Sequence, residues 1–234
     1  MRLPRLVEPS PITRVVAILA LGAIGATAAF LLARYSSLPG ILPVHFTRRG
    51  YPDGWQYRTH VRVLMPVFVQ IALLVTFGST ALLLLSRPHG RLEPDAPDVR
   101  AATAAAEAVA LIAFVWIGFQ AYAALALVAM WQQQRAGLGP VYSALEITGI
   151  VATVIIFARA NAGLGRPAAR PFVPEHWRFG QLYKNPADPA LFVPTRDGSR
   201  WTLNFGRPVA AALMAVLLVI GIAGPALILR FLLR

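Results

Sequence analysis

The chain has 234 residues, 57% hydrophobic and 14% charged, with a net charge of +12 carried almost wholly by arginine and with no cysteine. Soluble domains carry about 25% charged and roughly 45–50% apolar residues, so one globular core cannot absorb this excess and the class is membrane protein. The arginines flank apolar runs and form no basic domain of their own, which sets nucleic acid aside and makes the lipid bilayer the first partner; the missing cysteines remove disulfides, thiolate metal sites and cysteine nucleophiles.

A helix needs about 20 apolar residues to cross the hydrocarbon core, and backbone groups in lipid must bond within their own segment. Five runs meet that demand: Val15 to Ala33, Val63 to Leu85, Ala108 to Trp131, Val141 to Ala158 and Pro208 to Leu229. The expected fold is an all-α integral membrane protein of five transmembrane helices with a small cytoplasmic segment containing a β-hairpin. Its expected parts are a two-helix unit with a structured outward loop (1–85, loop 38–57), a helical hairpin of spans three and four (86–159), a Pro/aromatic-rich cytoplasmic segment (160–206) and a fifth helix (207–234). In the first run, Ala26 to Ala28 also reads as a signal-peptidase site. The apolar residues continue past it, and Gly22, Gly25, Ala26, Ala29 and Ala33 leave room for a neighbouring helix, so a retained helix is expected.

Fourteen of the 22 basic residues fall on the side that holds the N-terminus, residues 86–107 and residues 159–207. Eight fall on the other. That asymmetry places the N-terminus in the cytoplasm and the C-terminus outside, in a cytoplasmic (inner) membrane.

The first loop, Leu38 to Trp55, reads as folded. Pro39 and Pro43 hold extended backbone, Val44 to Phe46 alternate as a short strand, and Pro52-Asp53-Gly54 is turn chemistry. Tyr51, Trp55 and Tyr57 suit the headgroup level. His45 with Asp53, and His60 further on, form no metal spacing motif; the plainer reading is a histidine donating to a carboxylate or carbonyl to fix the loop.

The residues Leu38-Pro39, Pro43-Val44-His45-Phe46 and Gly50-Tyr51-Pro52-Asp53, after a first membrane helix, resemble the signature of an uncharacterised membrane domain. That domain recurs in immunity and signalling proteins of the SdpI type, associated with a secreted sporulation-delay killing peptide. The resemblance covers about the first 85 residues, and Thr47 stands where the family often has Asn. It implies a bacterial-type multi-span protein that binds a peptide or toxin, with Pro43, His45, Phe46, Gly50, Pro52, Asp53 and Trp55 as the outward binding loop.

Glu107 and Glu146 are the carboxylates to weigh near the membrane. Glu107 reads as a first-turn acid favoured by the helix dipole. Glu146 lies inside span four and is a candidate intramembrane group, with Arg135 or Tyr142 as its neighbours. Gln70, Gln120, Thr76, Thr148 and Thr153 read as interhelical hydrogen-bonding residues, and Pro225 as a kink in span five.

The segment Leu182 to Pro208 carries turn initiators at Asn185-Pro186 and Asp188-Pro189. Leu191 to Val193 and Trp201 to Phe205 read as strands around an Asp197-Gly198 turn, with Trp177, Phe179, Phe192 and Trp201 as anchors. This stretch resembles a second uncharacterised module that occurs beside the first, patterned Asn-Pro-x-Asp-Pro, Phe-Val-Pro and Trp-Thr-Leu-Asn-Phe-Gly. Thr195, Ser199 and Arg200 depart from it. Its candidate residues here are Asn185, Pro186, Asp188, Pro189, Trp201 and Asn204.

No Walker-type loop, His-Glu-x-x-His or Gly-x-Ser-x-Gly motif occurs, so neither an enzyme nor a cofactor or metal is expected. The expected function is recognition of an extracytoplasmic peptide or membrane-protein partner. The alternatives are an accessory subunit of a larger membrane complex, or a small transporter coupled through Glu146.

Overall fold

The computed structural model describes residues 5–47, 52–87, 97–133, 137–164, 167 and 171–218. In chain order the elements are β1 (Arg5–Leu6), α1 (Pro11–Arg34), a 3-10 turn (Tyr35–Ser37), β2 (Ile41–Phe46), β3 (Pro52–Tyr57), α2 (His60–Val63), α3 (Met65–Leu85) and β4 (Ser86–Arg87). After them come α4 (Pro97–Gln133), α5 (Pro140–Gly163), a second 3-10 turn (Pro174–His176), β5 (Trp177–Arg178), β6 (Leu182–Tyr183), β7 (Phe192–Pro194), β8 (Trp201–Leu203) and α6 (Pro208–Leu218).

Four of these helices open on proline, at Pro11, Pro97, Pro140 and Pro208. The first helical position has no intrahelical use for an N–H, and proline's fixed φ is already helical there. Ser10 completes the start of α1, its hydroxyl accepting the Thr13 N–H at 3.1 Å. The structure is mostly helical, and among the described residues four helices are long and apolar enough to cross a membrane: α1, α3, α4 and α5. Of the fifth expected span, α6 is described to Leu218; Gly221, Gly224 and Pro225 lie outside the described residues.

One boundary needs correction. Residues 97–107, expected as loop, are helical and lengthen α4 to 37 residues. At 1.5 Å per residue that is about 55 Å, well beyond a hydrocarbon core of about 30 Å. The charges of Asp98, Arg100 and Glu107 end the apolar run without ending the helix. Glu107 is therefore no first-turn acid: Asp98 holds that place, and Glu107, more than two turns further on, accepts the Ser10 hydroxyl at 2.5 Å.

The chain divides into two compact bodies. One holds Arg14–Phe77 and Ala110–Phe157; its core gathers Leu31, Leu42, Val63, Val128, Met130 and Trp131. Gln70 is fully buried there and donates to the Thr27 hydroxyl (3.2 Å) and the Ile117 carbonyl (3.0 Å), joining α1, α3 and α4. Trp116 of α4 donates to Thr153 of α5 at 3.1 Å. Thr148 bonds within its own helix, to the Ala144 carbonyl at 2.8 Å, and not between helices as expected.

The other body draws on Met1–Thr13, Gly78–Val109 and Ala158–Arg234; its core gathers Leu84, Leu85, Ala106, Leu191, Ala210 and Leu213. The small antiparallel pairs β1–β4, β5–β6 and β7–β8 belong to this body, and β2–β3 to the first.

Candidate functional site

The first site is the β2–β3 hairpin. Its register pairs Ile41 with Tyr57 and Pro43 with Trp55, then shifts at His45 and Phe46. His45 faces Gly54, where a Cβ would come 2.9 Å from the His45 Cβ; the close approach needs glycine. The irregular register lets His45 donate from Nδ1 to Asp53 Oδ1 at 2.5 Å. The pair fixes the hairpin as the plainer sequence reading proposed. Both side chains are exposed, and His60 is elsewhere, stacked on Tyr35 with ring centres 4.0 Å apart. Among the described residues no group of three or more His, Asp or Glu is placed to hold a metal ion.

Pro52-Asp53-Gly54, expected as a turn, is the start of β3. Gly50 and its neighbours Arg48, Arg49 and Tyr51 lie outside the described residues, as does Arg135; of Phe46 the structure describes the backbone, paired with Pro52.

Sequence reading missed what carries this hairpin. Arg58 donates to the carbonyls of Tyr35 (2.9 Å), Ser36 (3.3 Å) and Leu38, and lies 4.7 Å from the Tyr35 ring centre. These carbonyls belong to the 3-10 turn and its exit just past α1, where a cation also suits the negative end of the helix dipole. Trp131 of α4 donates to the Pro43 carbonyl at 3.1 Å, and Leu42 is fully buried beneath. One face is thus tied down. Val44, Trp55 and Tyr57 remain exposed, Tyr57 by 76%.

The second site is the module from Pro171 to Arg207, built around Asn204. Its amide is fully buried. The oxygen accepts the N–H groups of Asn185 (3.0 Å) and Gly206 (2.9 Å). The nitrogen donates to the carbonyls of Asn185 (2.9 Å), Asp188 (3.2 Å) and Ala190 (3.2 Å). One side chain thereby satisfies the backbone of a proline-broken segment that can form no ladder of its own. Pro186 and Pro189 leave that segment without two donors, and the Asx-type bonds Asn185 to Ala187 N–H (3.0 Å) and Asp188 to Ala190 N–H (2.9 Å) shape the rest. Gly206 lets the chain pass: a Cβ there would stand 2.4 Å from the Asn185 carbonyl carbon.

The hairpin runs β7 to β8 with Phe192 opposite Leu203. Asn204 and Phe205, expected in its return strand, lie past the end of β8: the Asn204 N–H still donates to the Leu191 carbonyl at 2.8 Å, while the Phe205 N–H goes to the Tyr183 carbonyl. Thr195 and Ser199 build the turn: both hydroxyls donate to the Asp197 carboxylate, at 2.6 and 2.5 Å. The Ser199 and then the Thr195 hydroxyl hold that carboxyl well below the ordinary carboxylate range. Trp201 donates to the Leu164 carbonyl at the end of α5 (3.4 Å), and Asp98 of α4 accepts the Phe192 N–H at 2.6 Å.

Sequence reading found Asn204 and Trp201, and Gly206 as the end of their pattern, but missed Asp98 and the whole β5–β6 hairpin. Gly180 was the available signal, a glycine within the three residues that join β5 to β6. Beside that hairpin is a cavity of about 230 Å³, lined among others by Phe172, His176, Trp177, Tyr183, Pro194 and Arg196. Its walls are mostly apolar, with the Arg196 guanidinium 4.5 Å from the Phe172 ring centre.

Glu146 is exposed on α5, an apolar helix of which only 6% of the most hydrophobic stretch is buried, against 39% for α4. Tyr142 lies one turn before it on the same helix.

Residues 186–210 match a family of unknown function, DUF5808. The match takes in Pro186, Asp188, Pro189, Trp201, Asn204 and Gly206, so it falls on the hub and on the hairpin the hub supports. No curated protein and no solved structure matches the chain.

Proposed function

We propose that this chain is a non-enzymatic protein of a bacterial inner membrane, of immunity or signalling type, that recognises an extracytoplasmic peptide or the extended segment of a membrane-protein partner on the β2–β3 hairpin. Its N-terminus and the 171–207 module lie in the cytoplasm, and a fifth span running on from α6 takes the C-terminus outside; the excess of basic residues on the inner side supports this orientation. The observation that carries the reading is the hairpin itself. It is a two-stranded sheet braced by Arg58 and Trp131, with Val44, Trp55 and Tyr57 exposed. A preformed strand edge beside exposed aromatic rings is how a sheet takes up an extended peptide, backbone bonds giving affinity and rings giving selectivity. His45 and Asp53 add one polar contact point at the bulge. A photo-crosslinking side chain in place of Tyr57, in intact cells, yields one discrete adduct that Trp55→Ala abolishes. Adducts to lipid alone remove the reading.

A second reading is favoured by α5. An apolar helix so little buried, carrying an exposed carboxylate, fits a helix that packs on another membrane subunit, with Glu146 meeting a donor there. Glu146→Gln lowers the yield of a stoichiometric complex in that case and leaves the Tyr57 adduct intact. A change in ion or solute flux in reconstituted vesicles supports the transporter alternative.

A further inference from the structure

Phe179 is 95% exposed and has a φ of +51°, next to Gly180 at +72°. Together they turn β5 into β6, and the Gln181 N–H closes the turn on the Arg178 carbonyl at 3.2 Å. Glycine or asparagine would hold this turn with less backbone cost than a bulky ring. Phenylalanine here is neither the residue the turn prefers nor one the core buries. Its side chain therefore has work outside the folded chain.

What surrounds the ring says what that work is. Arg178 and Leu182 are opposite each other across the hairpin, and Lys184 follows Leu182 on the same face, two residues on. All three are exposed, Leu182 by 42%. The tip is thus an apolar head with two cations behind it. Across the module Arg178, Lys184, Arg196 and Arg200 are exposed, against exposed Glu175 and Asp197.

The hairpin is also held near helix ends that are long and apolar enough to span a bilayer. The Phe205 N–H donates to the Tyr183 carbonyl at 2.8 Å, tying β6 to the strand leading into α6. Trp201 is tied to the last turn of α5, and Phe192, Leu203 and Phe205 pack against the cluster containing Leu84 and Leu85 at the end of α3.

We infer that the β5–β6 tip is a membrane-interface anchor, inserting Phe179 among the headgroups of a bilayer containing anionic lipid while Arg178 and Lys184 meet the lipid phosphates. The chemistry is that of an aromatic ring at the headgroup level backed by cations near an anionic surface. The inference is independent of which side of the membrane holds the module and of what β2–β3 binds.

The absence of cysteine permits a direct test on the full-length chain. Gln181→Cys, exposed beside the tip, takes a nitroxide label, and the protein is placed in nanodiscs of phosphatidylcholine or of equal parts phosphatidylcholine and phosphatidylglycerol. Collisions with oxygen, which dissolves in the bilayer, are compared with those of a water-soluble nickel chelate. The expected result is a several-fold fall in nickel collisions relative to the same protein in detergent, deepest with phosphatidylglycerol. Adding Phe179→Gly, which suits the positive φ, returns the label to water while leaving the hairpin folded. A label open to nickel in both lipids overturns the inference. So does a label shielded from oxygen and nickel alike, which marks a protein contact, or one that Phe179→Gly does not move.

Discussion

The β2–β3 hairpin and the Asn204 module solve the same problem by opposite means. Each contains short, proline-interrupted backbone that regular pairing leaves partly open. The first is satisfied from its periphery, by an arginine on carbonyls of the 3-10 turn after α1 and an indole on Pro43, and keeps its polar pair His45–Asp53 exposed. The second is satisfied from its centre, by one buried amide making five bonds. A peripheral brace leaves a face free to meet a partner. A central hub makes a rigid unit whose exposed parts are its tips. The match to a known family falls on the hub.

This contrast breaks first at Asn204. Asn204→Leu removes the hub and strands several buried backbone groups, each costing about 1–3 kcal/mol. Loss of the whole module is expected, seen as rapid protease cleavage between Trp177 and Arg207 while residues 41–57 stay protected. Gly206→Ala comes next. Its methyl meets backbone at 2.4 Å, and overpacking of this kind costs about 1–3 kcal/mol, read as a lower melting temperature in detergent.

Arg58→Lys tests the peripheral brace. It keeps the charge but loses the planar guanidinium that lies over the Tyr35 ring while its Nη1 meets the carbonyls, and about 1 kcal/mol is expected. Hydrogen exchange should quicken in residues 35–57 and remain unchanged in 185–206; equal effects in both regions would erase the distinction between them.

The smallest effect is at Asp197. Its carboxyl is depressed in the folded chain, so its contribution is present above the ordinary carboxylate pKa and is lost as pH falls through the lower folded value. The 195–200 turn therefore keeps its amide protection at pH values where free carboxylates are already protonated. Asp197→Asn abolishes that persistence without unfolding the module.

Much of the candidate chemistry was legible as residue types and little of it as partnership. His45 with Asp53 was readable because the two lie eight residues apart in one loop. The Asp197-Gly198 turn was readable because turn chemistry is local. Asp98 was hidden because its partner Phe192 is 94 residues away, and Trp131 because Pro43 is 88 away. Asn204 was visible within a pattern, but a pattern does not say that one amide meets five backbone groups.

By itself the sequence determined four helices long and apolar enough to cross a membrane and the existence of two ordered segments, one between the first two of these helices and one after the last. These follow from hydrophobic run length and turn chemistry, which act over a few to about twenty residues. The tertiary structure alone decided how far α4 runs past its apolar part, which arginine braces the first hairpin, and that Asn204 is a hub and Phe179 an exposed tip. Those outcomes rest on hydrogen bonds and contacts between segments distant in the chain, whose geometry exists only once the helices have packed.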